Sequence, residues 1–194
     1  MLKKSLIAFF SFSLVSTSLL ADGPRQSPWN YSSASNYALQ WALSRNPNYI
    51  SFTNDCTNFV SQALRTGGWK DTATLISTQM HSWFYKSGTN YAQTWSTANG
   101  LRNRVANGYE LGTTKLGKSF AGLGPEYLNN QIRVGDIILA DWTGDGIYDH
   151  AMMVTQVSFS ETLVSYHTTD RKNFSMADVA ASSPNAKFEV YHIT

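Results

Sequence analysis

Thr53-Asn54-Asp55-Cys56-Thr57-Asn58-Phe59-Val60-Ser61-Gln62-Ala63-Leu64-Arg65 contains the single cysteine of the 194-residue chain. Thr53, Asn54 and Asp55 are residue types that cap helices, because a short side-chain oxygen can accept an orphan backbone N–H. Beyond Cys56 the apolar residues are Phe59, Val60, Ala63 and Leu64, which fall on one helical face. Gly67-Gly68 ends the run. The reading therefore puts Cys56 in the first turn of a helix. The partial positive charge there favours a thiolate, and a thiolate is a nucleophile. The competing reading is a small buried hydrophobe.

Upstream, Tyr31 to Ser35 offers caps, and Tyr37, Ala38, Trp41 and Ala42 predict a helix over Asn36 to Ser44. Pro47 stops it. The stretch from Trp69 to about Gln131 is rich in Asn, Gly, Ser and Thr with isolated aromatics, and is expected to cover or flank the site. Within it, Thr94 to Thr97 could cap a helix running through Leu101 and Val105, weakened by Gly100. Lys115 to Gly124 reads as loop, and His81 as a surface or packing residue. From Val134 the pattern turns to strands: Ile137 to Ala140, His150 to Val157, Thr162 to Thr168 and Ala186 to Ile193. Helices followed by a meander predict an α+β fold, with N-terminal helices packed on one face of a C-terminal antiparallel sheet.

Met1 to Ala21 carries Lys3-Lys4, an apolar run from Leu6 to Leu20 and a small residue at its end. It reads as a secretory signal peptide cut after Ala21, leaving one domain over residues 22–194. The predicted location is exported, periplasmic or secreted, with no stable membrane insertion after cleavage. Cleavage would remove two lysines and leave 13 basic against 13 acidic residues, so nothing points to nucleic acid. In an oxidising compartment a lone cysteine has no partner for an internal bridge, which favours the nucleophile.

A cysteine nucleophile needs a base and a group to orient it. His150 begins a strand after a polar turn and is expected to share a face with Met152, Val154 and Gln156. His167 ends the next strand. In a hairpin turned near Ser158 to Glu161, residue 167 pairs near residue 152, which brings the two imidazoles together. His150 is the expected base and His167 the expected orienter, with Asp149 and Asp170 as competing orienters. The backbone N–H of Cys56 is the natural oxyanion donor, with Tyr49, Asn54 and Asn58 as candidates for a second. Asp141, Asp145 and Asp149 lack the further acids and late glutamate of a calcium loop, and zinc pairs such as CxxC or HExxH are missing. No metal or cofactor is expected.

Several stretches resemble the "putative amidase domain" family, a branch of the papain-like bacterial cysteine hydrolases. They are Tyr37-Ala38 through Trp41-Ala42, Asn46-Pro47-Asn48-Tyr49, Asn54 to Gln62 with Gly67-Gly68, Gly135-Asp136, Asp149 to Thr155, and Ser165-Tyr166-His167-Thr168. The arrangement is also similar to NlpC-type cell-wall peptidases and CHAP amidases, whose usual Ser-Gly after Asp-Cys is replaced here by Thr57-Asn58. In NlpC-type enzymes a polar residue on the next strand, often histidine, completes the triad, which His167 matches by strand. The resemblance implies a papain-like fold and an amide substrate in the peptide part of peptidoglycan. Two rivals are a secreted deamidase or transglutaminase acting on proteins and a catalytically silent cell-wall-binding module. An inhibitor or immunity protein as a partner is undetermined.

Overall fold

The computed structural model describes residues 28–109, 113–118 and 131–194. The predicted signal peptide lies outside the described residues. Helix α1 (Tyr31–Trp41) begins five residues earlier than the periodicity suggests. Its N-cap is Asn30, whose side-chain oxygen accepts the Ser33 N–H at 2.8 Å. The serines expected as caps are therefore inside the helix. Helix α2 (Cys56–Thr66) begins at the cysteine and is capped by Gly67. A Cβ on Gly67 would stand 2.2 Å from the Trp29 ring, so only glycine fits there.

The middle stretch forms a small hairpin, β1 (Tyr85–Ser87) and β2 (Asn90–Tyr91), then α3 (Gln93–Ser96) and α4 (Ala98–Ala106). Thr97 caps α4 by accepting the Gly100 N–H. Gly100 is there because a Cβ would lie 2.8 Å from the Gln93 carbonyl. The expected loop after Lys115 is in part strand β3 (Thr113–Lys118); the remainder of that expectation lies outside the described residues. Next come β4 (Ile137–Asp141), β5 (His150–Val157), β6 (Thr162–Tyr166), β7 (Arg171–Ser175), α5 (Met176–Ser182) and β8 (Lys187–Ile193). The fold is mixed α+β, with five helices among the described residues and a six-stranded antiparallel sheet in the order β3-β8-β4-β5-β6-β7.

Both faces of the sheet are covered. Ile137, Leu139, Ala151 and Met153 pack against Phe59, Val60, Ala63 and Leu64 of α2 and against Trp69, Trp83 and Trp95. Ile138, Ala140, Met152, Val154 and Val190 face the other way, onto Met176 and Val179 of α5. The expectation of helices on one face alone is thus corrected. The cause is α5, whose short amphipathic stretch lies where the sequence carried no strand or helix signal long enough to read. Strand β4 is buried along all five residues because both layers cover it.

One irregularity decides the geometry of the site. From Val157↔Thr162 to Gln156↔Leu163 the β5–β6 register is regular, but the next pair is Val154↔Val164. Thr155 is an extra residue, a β-bulge. Its hydroxyl is tied to Ser165 Oγ at 3.1 Å and to Asn173 Oδ1 at 2.8 Å. Side chains alternate with period two, so one inserted residue moves everything beyond it to the opposite face.

Candidate active site

Every residue from Cys56 to Leu64 is buried, so the polar side chains of α2 need partners inside the protein. They have them. Asn58 Nδ2 donates to the Ile50 carbonyl and to Asp55 Oδ1, both at 2.8 Å, and its oxygen accepts Trp95 Nε1–H at 2.7 Å. Ser61 donates to the Trp95 carbonyl and accepts from Trp83 Nε1. Gln62 accepts the Tyr37 hydroxyl. The polar letters of the motif are anchors that fix the helix in depth and rotation. Asn58 is fully engaged and has no spare N–H for an oxyanion.

Asp55, 1% exposed, is the hub. Its carboxylate makes no capping bond to its own helix. It accepts the Phe52 N–H at 3.0 Å, pairs with Arg45 Nε at 3.1 Å and accepts from His167 Nδ1 at 2.6 Å. Arg45 continues as a bidentate pair to Asp170, both contacts at 2.9 Å. That contact holds the Asp170 carboxyl below its ordinary range. The Asp55 N–H donates to Thr168 Oγ1 at 2.9 Å. The start of α2 is therefore clasped by the β6–β7 turn.

His167 lies on the α2 side, its ring 4.1 Å from that of Phe59. Nε2 faces the Trp41 carbonyl at 2.8 Å while Nδ1 faces Asp55. Both ring nitrogens are thus engaged, one facing a carboxylate and the other a backbone carbonyl. Neither nitrogen is left for His150. The expected His150–His167 contact is thus corrected: the Thr155 bulge places residue 167 opposite Ala151 instead of Met152, on the other face of the sheet. The competing orienters do not reach His150 through their side chains either. Asp170 is held by Arg45, and Asp149 Oδ2 accepts the Trp142 N–H at 3.1 Å.

The Cys56 sulfur lies where β6 has ended and β5 is left with open backbone groups. Its S–H is directed at the Asp149 carbonyl at 3.8 Å, and Thr57 Oγ1 lies at 3.7 Å. The thiol is 4% exposed. Burial pushes its pKa up, against the backbone N–H groups of Ala151 and Thr57, which favour the thiolate. Desolvation is the largest influence and Asp55 adds a like charge, so the thiol pKa moves up and not down as expected from helix position alone.

His150 shares its face with Met152 and Val154. It packs tilted against Trp142 at 5.3 Å and edge-on to Tyr166 at 4.9 Å. Its Nε2 is buried with no hydrogen-bond partner. Desolvation lowers its pKa from 6.5 to about 4, so it is a neutral imidazole at neutral pH. Among the described residues no hydrogen bond joins it to Cys56. A cavity of about 620 Å³ opens on His150 and is walled by Trp142, Tyr166, Thr168 and Phe174. Sulfur and imidazole thus flank the same end of β5, one at its edge and one on its outer face.

Two features were not anticipated. Thr168 and Thr169, at φ 64 and 66, form the turn between β6 and β7 in the left-handed region that β-branched residues avoid. The acids whose spacing resembles a calcium loop build a turn: Asp141 accepts the N–H groups of Gly144, Asp145 and Gly146. No cluster suited to a metal occurs among the described residues. The Thr-Thr pair lacks the Asn-Gly signature of such a turn, and Arg45 sits in a featureless loop, so neither had a readable signal.

The family model for a "Putative amidase domain" matches residues 29–191, a span that includes Cys56, His150 and His167. Two curated proteins of Bacillus subtilis (strain 168) are similar. "Uncharacterized protein YhbB" is 27% identical over 164 residues, covering 81% of this chain and 48% of that protein. "Uncharacterized protein YjcM" is 31% identical over 150 residues, covering 72% and 31% respectively. The chain thus spans half or less of the length of these relatives. No solved structure matches. With most of its length under that one family model, the chain belongs to the putative amidase domain family.

Proposed function

We propose that the protein is an exported cysteine amidase of papain-like fold, acting on an amide in the peptide part of peptidoglycan. Cys56 is the nucleophile and His150 the base. The observation that carries this reading is the thiol at the first residue of α2, held against the backbone of β5 at Asp149. The next residue, His150, is neutral, has an unpartnered Nε2 and opens on a cavity. In the reaction the thiol proton passes to His150 as sulfur bonds to the carbonyl carbon. The leaving amine takes that proton, and water then releases the acyl group from the thioester. The step requires imidazole and sulfur to come within hydrogen-bond reach once the amide is bound; resting enzymes often show looser geometry. His167 serves by holding Asp55, and so the start of α2, in place. Export rests on the Met1 to Ala21 pattern, and the sacculus substrate on the cell-wall resemblance.

The burial of the thiol favours one second reading, a silent binding module. One experiment separates the two. Mature protein is incubated with murein sacculi beside the Cys56→Ala and His150→Ala variants, and products are identified by mass. Soluble fragments released by the wild type alone support the amidase. Identical products from wild type and Cys56→Ala end it, and retention of all three proteins on the sacculus without products supports the module.

A further inference from the structure

The cavity over His150 also contains a cation. Arg171 begins β7, lines the cavity and is partly buried. Its guanidinium stacks on the Phe174 ring at 5.2 Å, and Nη1 donates to the Asp170 carbonyl at 3.1 Å. Those two contacts hold the guanidinium over the ring. They do not neutralise it, since no carboxylate pairs with Arg171 among the described residues. The neighbouring Asp170 faces Arg45 instead. Asp178, the other charged residue lining the cavity, is solvent-exposed and forms no ion pair with Arg171.

The charge sits close to the chemistry. Arg171 acts electrostatically on the Tyr166 hydroxyl, and the Tyr166 ring touches His150 edge-on at 4.9 Å. Guanidinium, phenol and imidazole therefore follow one another along one wall of a 620 Å³ space, a size that suits a ligand of one or two residues. A guanidinium held over a ring, with no carboxylate paired to it among the described residues, suits a planar anion, and carboxylate matches its fork.

We infer that Arg171 sets substrate choice: the cavity takes amides that bear a free carboxylate within about one residue of the reacting carbonyl. This rests on the amidase reading for its chemistry but not for its test. N-acetyl-Ala-Ala, with a free carboxylate, and its C-terminal amide, which is neutral, are titrated calorimetrically into the Cys56→Ala protein at pH 7 and low salt. The acid binds about tenfold or more tightly than the amide, as expected for a charge-assisted contact. Arg171→Gln removes that preference, and Arg171→Lys, which keeps charge without the fork, falls between. Equal affinities for acid and amide, no binding of either, or a preference that survives in Arg171→Gln each overturn the assignment. Thermal melts of the variants check that the fold is retained; should Arg171→Gln not fold, Arg171→Lys and the acid-to-amide ratio of the parent decide. Because binding is read without turnover, a protein that prefers the acid yet hydrolyses nothing keeps this inference and loses the amidase.

Discussion

Burying His150 makes the protein's stability depend on pH in a definite direction. Its imidazole is 5% exposed, packed between Trp142 and Tyr166, with no carboxylate hydrogen-bonded to it. The folded pKa is about 4 against 6.5 for the free side chain. Between those values the unfolded chain binds a proton that the folded protein refuses, so unfolding is favoured as pH falls. At 1.36 kcal/mol per pKa unit the full effect is about 3 kcal/mol. It is nil above pH 6.5, grows through the interval and is complete only below about pH 4. The measurement is urea denaturation of wild type and His150→Gln at intervals from pH 7.5 to about 4. Other titrating groups cancel in the difference between the two proteins. The wild type loses about 3 kcal/mol relative to the variant across that range. An NMR titration of the imidazole supplies the independent value. A difference that stays flat with pH, or an imidazole titrating near 6.5, refutes the burial argument. It would also remove the reason to expect a neutral base at mildly acidic pH.

Three further outcomes follow from the packing around α2. Asp55→Ala removes the buried carboxylate shared by the His167 ring, Arg45 Nε, the Phe52 N–H and Asn58 Nδ2, and costs about 3–5 kcal/mol in denaturant unfolding; Asp170→Ala, at a partly exposed pair, costs at most about 1 kcal/mol. Thr169→Gly relieves a left-handed β-branched residue whose side chain makes no hydrogen bond, and raises stability by about 1 kcal/mol, read as a higher melting temperature; a lower one contradicts the strain. Cys56, buried and with its pKa raised, reacts with iodoacetamide at pH 7 more slowly in the native protein than in urea; faster native labelling means the thiolate is present at rest.

Much of this arrangement was legible in the residues. The α2 face and its end at Gly67 follow from period and breaker, its start falls at Cys56 although Asp55 makes no capping bond, and β5 falls where alternation put it. Elements without such signals stayed hidden. Strand β7 is short and polar, α5 has only seven residues, and α1 is capped by an asparagine that lay outside the apolar period. The buried network around Asp55 was also out of reach, because Arg45 and His167 lie 10 and 112 residues from it in the chain and no local pattern links them.

The misplaced histidine has a sharper cause. Counting back from the turn at Ser158 to Glu161 puts residue 167 beside residue 152, and that count is correct as far as Gln156↔Leu163. It fails at Thr155, whose hydroxyl, with Ser165 and Asn173, pins an extra residue into β5. Because the sheet alternates, one residue transfers His167 from the cavity face to the helix face. There it meets the only buried carboxylate at the start of α2, Asp55, and the Trp41 carbonyl. A single polar residue in an apolar strand thus separates two histidines that a regular hairpin would have paired. It leaves His150 without a polar orienter and held by aromatic rings, and gives the cysteine helix the clasp that fixes where its sulfur sits.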